Sequence, residues 1–91
     1  MSLDAAMPLA CVPDAIPSAD RPAHFALIER LFQDVREKVV LDEGYAFRFD
    51  ASAFADIARF VENERLCCSF LTFTLAAQPG AGPLWLRLTG P

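Results

Sequence analysis

The stretch that most restricts the fold of this chain is the segment from Asp50 to Phe73, DASAFADIARFVENERLCCSFLTF. Between Ala51 and Phe70 it contains no glycine or proline, so a helix can continue there without interruption. Side chains at spacings of three and four predict one amphipathic helix that ends near Cys67. The stripe consists of Phe54, Ile57, Ala58, Val61, Arg65 and Cys68. Asp50 is placed to cap the start of this helix.

The N-terminal part of the chain is predicted to hold an arm and a helix. Prolines at positions 8, 13 and 17 interrupt residues 1–21, which predicts an irregular arm. Apolar residues at helical spacing predict a first helix over residues 22–39, with Pro22 in its first turn. Residues 22–91 then form an α+β body, and the 91 residues make a single domain.

Three strands are predicted in this body, at Tyr45–Phe49, residues 70–77 and Leu84–Leu88, because apolar and polar residues alternate there. The loop between the last two strands contains two glycines and two prolines, which predicts a hairpin. The first two strands are joined through the second helix, so they run parallel and the third fits between them, in the order 1-3-2. This arrangement is a split β-α-β-β unit, half of a ferredoxin-like fold, with both helices on one face.

Charge and composition exclude several classes of protein. The net charge of −4 and the pI near 4.7 argue against nucleic-acid binding, which depends on surplus Lys and Arg. No apolar run approaches the roughly 20 residues that span a bilayer, and the start of the chain lacks the basic region of a secretory signal. We therefore expect a cytoplasmic protein that binds neither membranes nor nucleic acid, without a disulfide framework. No nucleophile–base–acid set is visible, which favours a non-enzymatic role.

A dense cluster of reactive groups lies at the end of the predicted second helix. Glu64 precedes Cys67 and Cys68 by three and four residues, so all three can share one side of a helix. Thiolates are soft ligands, suited to Zn, Cu(I), Hg or a metalloid, and a carboxylate can complete the set. Cys11 and His24 become further ligands if the N-terminal arm folds over the cysteine pair. A metal site here requires at least one sulfur beside the carboxylate and reachable from outside.

Two other interpretations of the cysteine pair stay open. Cysteine is among the most buried residue types, and the Cys-x-x-Cys pattern of structural zinc sites is absent. The cysteines would then be core residues, and the protein an interaction module. Alternatively, the positive charge of Arg65 would favour the thiolate form of its neighbours, which is typical of thiol redox proteins.

The sheet face away from the helices is predicted to carry a tryptophan between two arginines. Such a face favours a contact surface, either for a homodimer formed by sheet-on-sheet packing or for an anionic ligand. A domain this small gains stability by pairing, which favours the homodimer. The predicted interface residues are Arg48, Thr72, Thr74, Trp85 and Arg87.

Two motifs of this chain resemble those of a family of small, uncharacterised bacterial proteins. They are Asn-Glu-Arg-Leu-Cys-Cys-Ser-Phe-Leu-Thr-Phe at 63–73 and Gly-Pro-Leu-Trp-Leu-Arg-Leu-Thr-Gly-Pro at 82–91. The family shows Glu-Arg-x-Cys-Cys-Pro-Phe followed by Trp-Leu-Arg-Leu-Thr-Gly-Pro, and Ser69 replaces the proline here. Members continue into a further helix, so the resemblance implies a shortened chain. Some members lie among heavy-metal resistance genes, so the resemblance favours metal binding but implies no established activity.

Overall fold

Two helices pack on one face of a four-stranded sheet in a computed structural model, which describes residues 11–91. The helices are α1, Arg21–Gln33, and α2, Phe54–Cys67. The strands are β1, Glu37–Leu41; β2, Gly44–Phe49; β3, Thr72–Ala77; and β4, Leu84–Thr89. Residues 1–10 of the predicted arm lie outside the described residues. In residues 11–91, neither helix is long and apolar enough to cross a membrane.

The sheet has the order β1-β2-β4-β3, and every pair of neighbouring strands is antiparallel. Strand β4 lies between β2 and β3, which α2 connects, so β2 and β3 run parallel to each other. The prediction of a three-stranded sheet in the order 1-3-2 is wrong. A fourth strand, β1, pairs with β2 and forms one edge of the sheet.

Most of the extra strand is formed by residues that the sequence predicts as the end of the first helix. Helix α1 ends at Gln33, where the backbone N–H of Asp34 donates to the carbonyl oxygen of Leu31 at 3.0 Å. Val39 and Val40 are β-branched and suit a pleated strand better than a helix. Pairing with β2 supplies hydrogen bonds to this backbone, whereas an extended helix would leave one side of β2 unpaired. The predicted boundary of 39 is therefore wrong by six residues.

A tight turn joins β1 to β2 and brings that hairpin against the end of β4. Asp42 and Glu43 form the turn, and Gly44 opens β2 opposite Thr89. A Cβ atom at Gly44 would collide with the carbonyl oxygen of Leu88. Glycine is therefore required here by the close approach of two backbones.

The core lies between the helices and the inner face of the sheet. Its fully buried members are Leu27, Leu31, Phe49, Ile57, Phe60, Leu84 and Leu86. The ring of Phe32 joins the two layers, because its centroid lies 5.1 Å from that of Phe47 and 5.3 Å from that of Phe60. Both helices therefore cover the same face of the sheet, as the alternation in the strands predicts.

Helix α2 starts differently from the predicted capping arrangement. A 3-10 turn, Ala51–Ala53, precedes it, and the side chain of Asp50 makes no capping hydrogen bond. The Asp50 carboxylate instead accepts a hydrogen bond from Arg36 Nη2 at 2.8 Å. This bond ties the entry of α2 to the segment between α1 and β1. The predicted end of the helix at Cys67 is confirmed.

Candidate metal centre

The two neighbouring cysteines lie where α2 stops. Cys67 is the last helical residue, and the backbone N–H of Cys68 donates to the carbonyl oxygen of Glu64 at 2.7 Å. Successive side chains on a helix point about 100° apart, so a regular helix would separate the two sulfurs. Cys68 leaves the helical conformation, with φ −108° and ψ 70°. Both cysteines are buried in one small cluster as a result, with exposures of 6% and 1%.

The arm formed by residues 11–20 crosses the end of α2. The backbone N–H of Val12 donates to the carbonyl oxygen of Cys67 at 2.8 Å. The side chain of Ile16 is fully buried and packs against both cysteines. Arg21 Nε donates to the carbonyl oxygen of Ile16 at 2.9 Å, which fixes the arm from the other side. The arm therefore folds over the cysteine pair and carries Cys11 to it.

Cys11 and Cys68 form a disulfide, and Cys67 remains a free thiol. The expectation of no disulfide is wrong, because the folded arm brings the two Cα atoms to 4.3 Å although 57 positions separate them in the chain. The three sulfur atoms lie within 4.8 Å of one another. Among residues 11–91, this is the one group of three or more His, Cys, Asp or Glu side chains that lie close enough together to hold a metal ion. We call Cys11, Cys67 and Cys68 the three-cysteine site.

Glu64 is turned toward the three-cysteine site. Its Oε1 accepts a hydrogen bond from His24 Nε2 at 2.8 Å, and its Oε2 lies 3.4 Å from the sulfur of Cys68. The His24 side chain is fully buried and that of Glu64 is 17% exposed. The other ring nitrogen of His24, Nδ1, has no hydrogen-bond partner among residues 11–91. His24 thus contacts the carboxylate, and the carboxylate contacts the sulfur of Cys68.

The three cysteines differ in exposure. Cys67 and Cys68 are buried, whereas Cys11 is exposed. The condition set from the sequence, one sulfur that is both beside the carboxylate and reachable from outside, is not met, because Cys68 lies beside Glu64 but is only 1% exposed and is bonded to Cys11. Cys11 is the one exposed residue of the three, and its sulfur is joined to that of the buried Cys68.

The electrostatics of Cys67 differ from the sequence-based expectation. Burial raises the pKa of the Cys67 thiol above its ordinary value, and the charge of Glu64 raises it further. The backbone N–H of Val12 lowers it in part. Arg65, predicted to favour the thiolate, is exposed on α2 and does not figure among the causes of the shift. Cys67 is therefore a neutral thiol near pH 7.

The second group of predicted site residues lies on the outer face of the sheet, away from the helices. In the strand register Arg48 pairs with Trp85, and Thr74 pairs with Arg87. Paired residues of antiparallel strands project to the same side, so these four share one face, and Thr72 joins them two residues before Thr74. Arg48 Nε donates to the Glu37 carboxylate at 3.1 Å.

Two residues that build the site were not singled out from the sequence. Ile16 anchors the arm by burial, and Arg21 anchors it by hydrogen bonds to the carbonyl oxygens of Ile16 and Asp14. The available signal was an isolated isoleucine just before Pro17, in a segment otherwise interrupted by prolines. Such a residue is typical of an arm that docks on a body, but it does not identify the docking site.

Comparisons with protein families, with curated proteins and with solved structures found no match to this chain. The resemblance to the bacterial Cys-Cys family remains a hypothesis that rests on the motifs quoted above.

Proposed function

We propose that the reduced protein binds a thiophilic metal or metalloid ion through the three-cysteine site. The observation that supports this function is the distance of at most 4.8 Å between any two of the three sulfurs. Thiolates are soft ligands, and a group of three suits Zn²⁺, Cu(I), Hg²⁺ or a trivalent metalloid. The role proposed is binding rather than catalysis.

The arm favours such a site because its contacts do not depend on the disulfide. Ile16 is buried, Val12 is bonded to the backbone of Cys67, and Arg21 holds the arm by two side-chain hydrogen bonds. We expect these contacts to hold the arm when the disulfide is reduced, which would keep Cys11 near the cysteine pair. The third sulfur is therefore positioned before an ion arrives, which lowers the entropic cost of binding.

The oxidised protein cannot bind an ion in this way, because two of the three sulfurs of the site are bonded to each other. A dithiol reductant breaks the S–S bond with two electrons and two protons, giving two thiols and an oxidised reductant. Ion binding then displaces the thiol protons. We propose that the protein acts in a reducing compartment such as the cytoplasm, where disulfides are kept reduced.

The direct test is ion uptake by reduced wild-type protein and by a Cys67→Ser variant. Each protein is reduced, exchanged into reductant-free buffer without oxygen, and offered Zn²⁺, Cu(I) or Hg²⁺ in turn. Bound metal is measured by mass spectrometry. We expect one ion per wild-type chain and a loss of at least about tenfold in affinity for Cys67→Ser. The matched control is Ser69→Ala, an exposed neighbour of the pair. No uptake of any of the three ions by the reduced wild type would contradict the proposal.

A second candidate function, thiol–disulfide redox chemistry, is favoured by the disulfide beside a free thiol. In that chemistry a thiolate attacks one sulfur of the disulfide and the other leaves as a thiolate. The raised pKa of Cys67 lowers its thiolate fraction and so opposes this role. Reduction of an added disulfide substrate to its dithiol by the reduced wild type, whose own thiols become a disulfide, would favour redox chemistry over ion binding if Cys67→Ser abolished it.

A further inference from the structure

The ligand that completes the three-cysteine site is indicated by the position of Glu64. We propose that Glu64 Oε2 is the fourth ligand of a tetrahedral divalent cation of the Zn²⁺ class. The inference rests on the proposed function, because it assumes that the three cysteines bind an ion. It adds the identity of the ion class and separate roles for Glu64 and His24.

The distance between Glu64 and Cys68 fits a shared tetrahedral ion. Zinc bonds of about 2.3 Å to sulfur and about 2.0–2.2 Å to oxygen place the two ligand atoms about 3.5–3.7 Å apart at a tetrahedral angle. Glu64 Oε2 lies 3.4 Å from the sulfur of Cys68. This one pair therefore already stands near the separation that coordination would impose, whereas Glu64 lies outside the group of atoms within 4.8 Å of one another, so coordination requires the sulfurs and the carboxylate to draw together. Opening the disulfide frees the sulfurs of Cys11 and Cys68 to spread around the ion.

His24 holds the carboxylate and is not itself a ligand through Nε2. That nitrogen donates to Glu64 Oε1 at 2.8 Å, so the Glu64 oxygen left over is the one that faces the sulfur. Metal-ligating carboxylates are usually fixed by such outer hydrogen bonds, and their loss costs 10- to 100-fold in affinity. The ring of His24 is fully buried and stacks on Phe60, with centroids 6.0 Å apart, so its position is set by packing.

The donor set selects among the ions that the three cysteines would accept. Three thiolates and one carboxylate form a closed, four-coordinate site of net charge −2 around a divalent cation, the same as a four-cysteine zinc site. A trivalent metalloid such as arsenite takes three sulfurs and carries a lone pair where the fourth ligand would be. A linear ion such as Hg²⁺ takes two sulfurs. Only the tetrahedral cation requires Glu64.

The loading reaction balances without any group beyond the reductant and the ion. A dithiol reduces the Cys11–Cys68 disulfide, and its own two thiols become a disulfide. The cation then replaces three thiol protons, which pass to the buffer, and accepts an electron pair from each sulfur and from the carboxylate. No oxidation-state change of the ion is involved.

The test compares Zn²⁺ with arsenite on reduced wild type, Glu64→Gln and the matched control Glu62→Gln, an exposed glutamate of the same helix. Zn²⁺ affinity is measured by competition with a chromophoric chelator, and arsenite binding by loss of reactive thiols. We expect Glu64→Gln to bind Zn²⁺ at least about tenfold more weakly and arsenite within about twofold of wild type, with Glu62→Gln unchanged.

Each other outcome contradicts a stated part of the proposal. Equal Zn²⁺ affinity in wild type and Glu64→Gln overturns the fourth ligand while arsenite binding still supports the three-cysteine site. Uptake of none of Zn²⁺, arsenite, Cu(I) and Hg²⁺ by the reduced wild type overturns the proposed function itself. If a folded Glu64→Gln variant bound neither Zn²⁺ nor arsenite, Glu64 would position the sulfurs, and its role as a ligand specific to the divalent cation would be contradicted. Should Glu64→Gln not fold, X-ray absorption of Zn²⁺-loaded wild type decides: three sulfurs and one oxygen are expected, and a shell without that oxygen overturns the inference.

Discussion

His24 Nε2 donates a hydrogen bond to Glu64 Oε1 at 2.8 Å and so joins the first turn of α1 to the last turn of α2. The bond spans 40 positions of the chain. At the other end of the same pair of helices, Arg30 contacts Asp56 at 3.5 Å, so α1 and α2 run antiparallel. The buried bond lies beside the three-cysteine site, and the exposed one lies far from it along α2. Packing of the two helices and orientation of the carboxylate at the site are therefore coupled.

Removal of the His24 donor is expected to destabilise the fold. His24→Phe keeps the aromatic shape against Phe60 but leaves a largely buried carboxylate without its partner, which costs about 1–3 kcal/mol in the free energy of unfolding. Urea denaturation measures the change. The double variant His24→Phe with Glu64→Leu removes both polar groups and should recover most of the loss. A single variant as stable as wild type would contradict the coupling described here.

The disulfide is expected to stabilise the oxidised form. A loop closed over 57 positions restricts the unfolded chain, which corresponds to about 4 kcal/mol at most and typically 2–4. Addition of a dithiol should lower the denaturation midpoint of wild type and of Cys67→Ser, which retains the bridge. Cys11→Ser should be less stable and indifferent to the dithiol. If the denaturation midpoint of the wild type did not change with reductant, the disulfide would not be formed in solution.

The raised pKa of Cys67 predicts a specific pH dependence. The folded protein keeps the thiol proton at pH values where the unfolded chain, with an ordinary thiol pKa of about 8.5, has lost it. The free energy of unfolding therefore falls as the pH rises from that ordinary value through the raised one. The measurement is the difference in the free energy of unfolding between wild type and Cys67→Ala at each pH. Contributions of other groups cancel in this difference, so the remaining fall is due to Cys67. Identical pH profiles for the two proteins would contradict the effect of burial.

Homodimer formation through the outer sheet face stays a prediction. Sheet-on-sheet packing would bury Trp85, and tryptophan is among the residues that dominate interface energies. Sedimentation over a range of concentrations should give a mass near twice 10.0 kDa for wild type, and Trp85→Ala should shift the equilibrium toward the monomer. Leu66→Ala, which truncates an exposed leucine of α2, is the control. A dimer unaffected by Trp85→Ala would place the interface elsewhere, and a monomer at every concentration would remove it.

Local patterns predicted what local interactions determine. The end of α2 at Cys67 and the inner face of the sheet follow from periodicity, because burial of one face repeats with the period of the element. Strand β1 was missed because Val35 and Val39 continue the helical spacing of α1. Pairing with β2 decides the conformation of Val39, and that contact is not visible in a short window of sequence.

In the candidate site, too, local spacing predicts some features, whereas contacts between distant parts of the chain determine others. The spacing of Glu64 from Cys68 is local, and their proximity could be predicted. The bond of His24 to Glu64 and the disulfide of Cys11 with Cys68 depend on where the arm and α1 dock. The arm docks through the burial of Ile16 and the hydrogen bonds of Arg21, and α1 docks through its core residues, none of which follows from residue spacing.

The number of thiols that one bound ion protects tests the three-cysteine site most directly. Reduced wild-type protein is treated with iodoacetamide under mild denaturant-free conditions, with and without one equivalent of Zn²⁺, and intact mass counts the modified cysteines. Without the ion we expect Cys11 to react first and the buried pair slowly, until three groups are added. With the ion bound, we expect all three cysteines to be protected until a chelator is added. Protection of none, or of Cys67 and Cys68 while Cys11 reacts freely, would contradict the account.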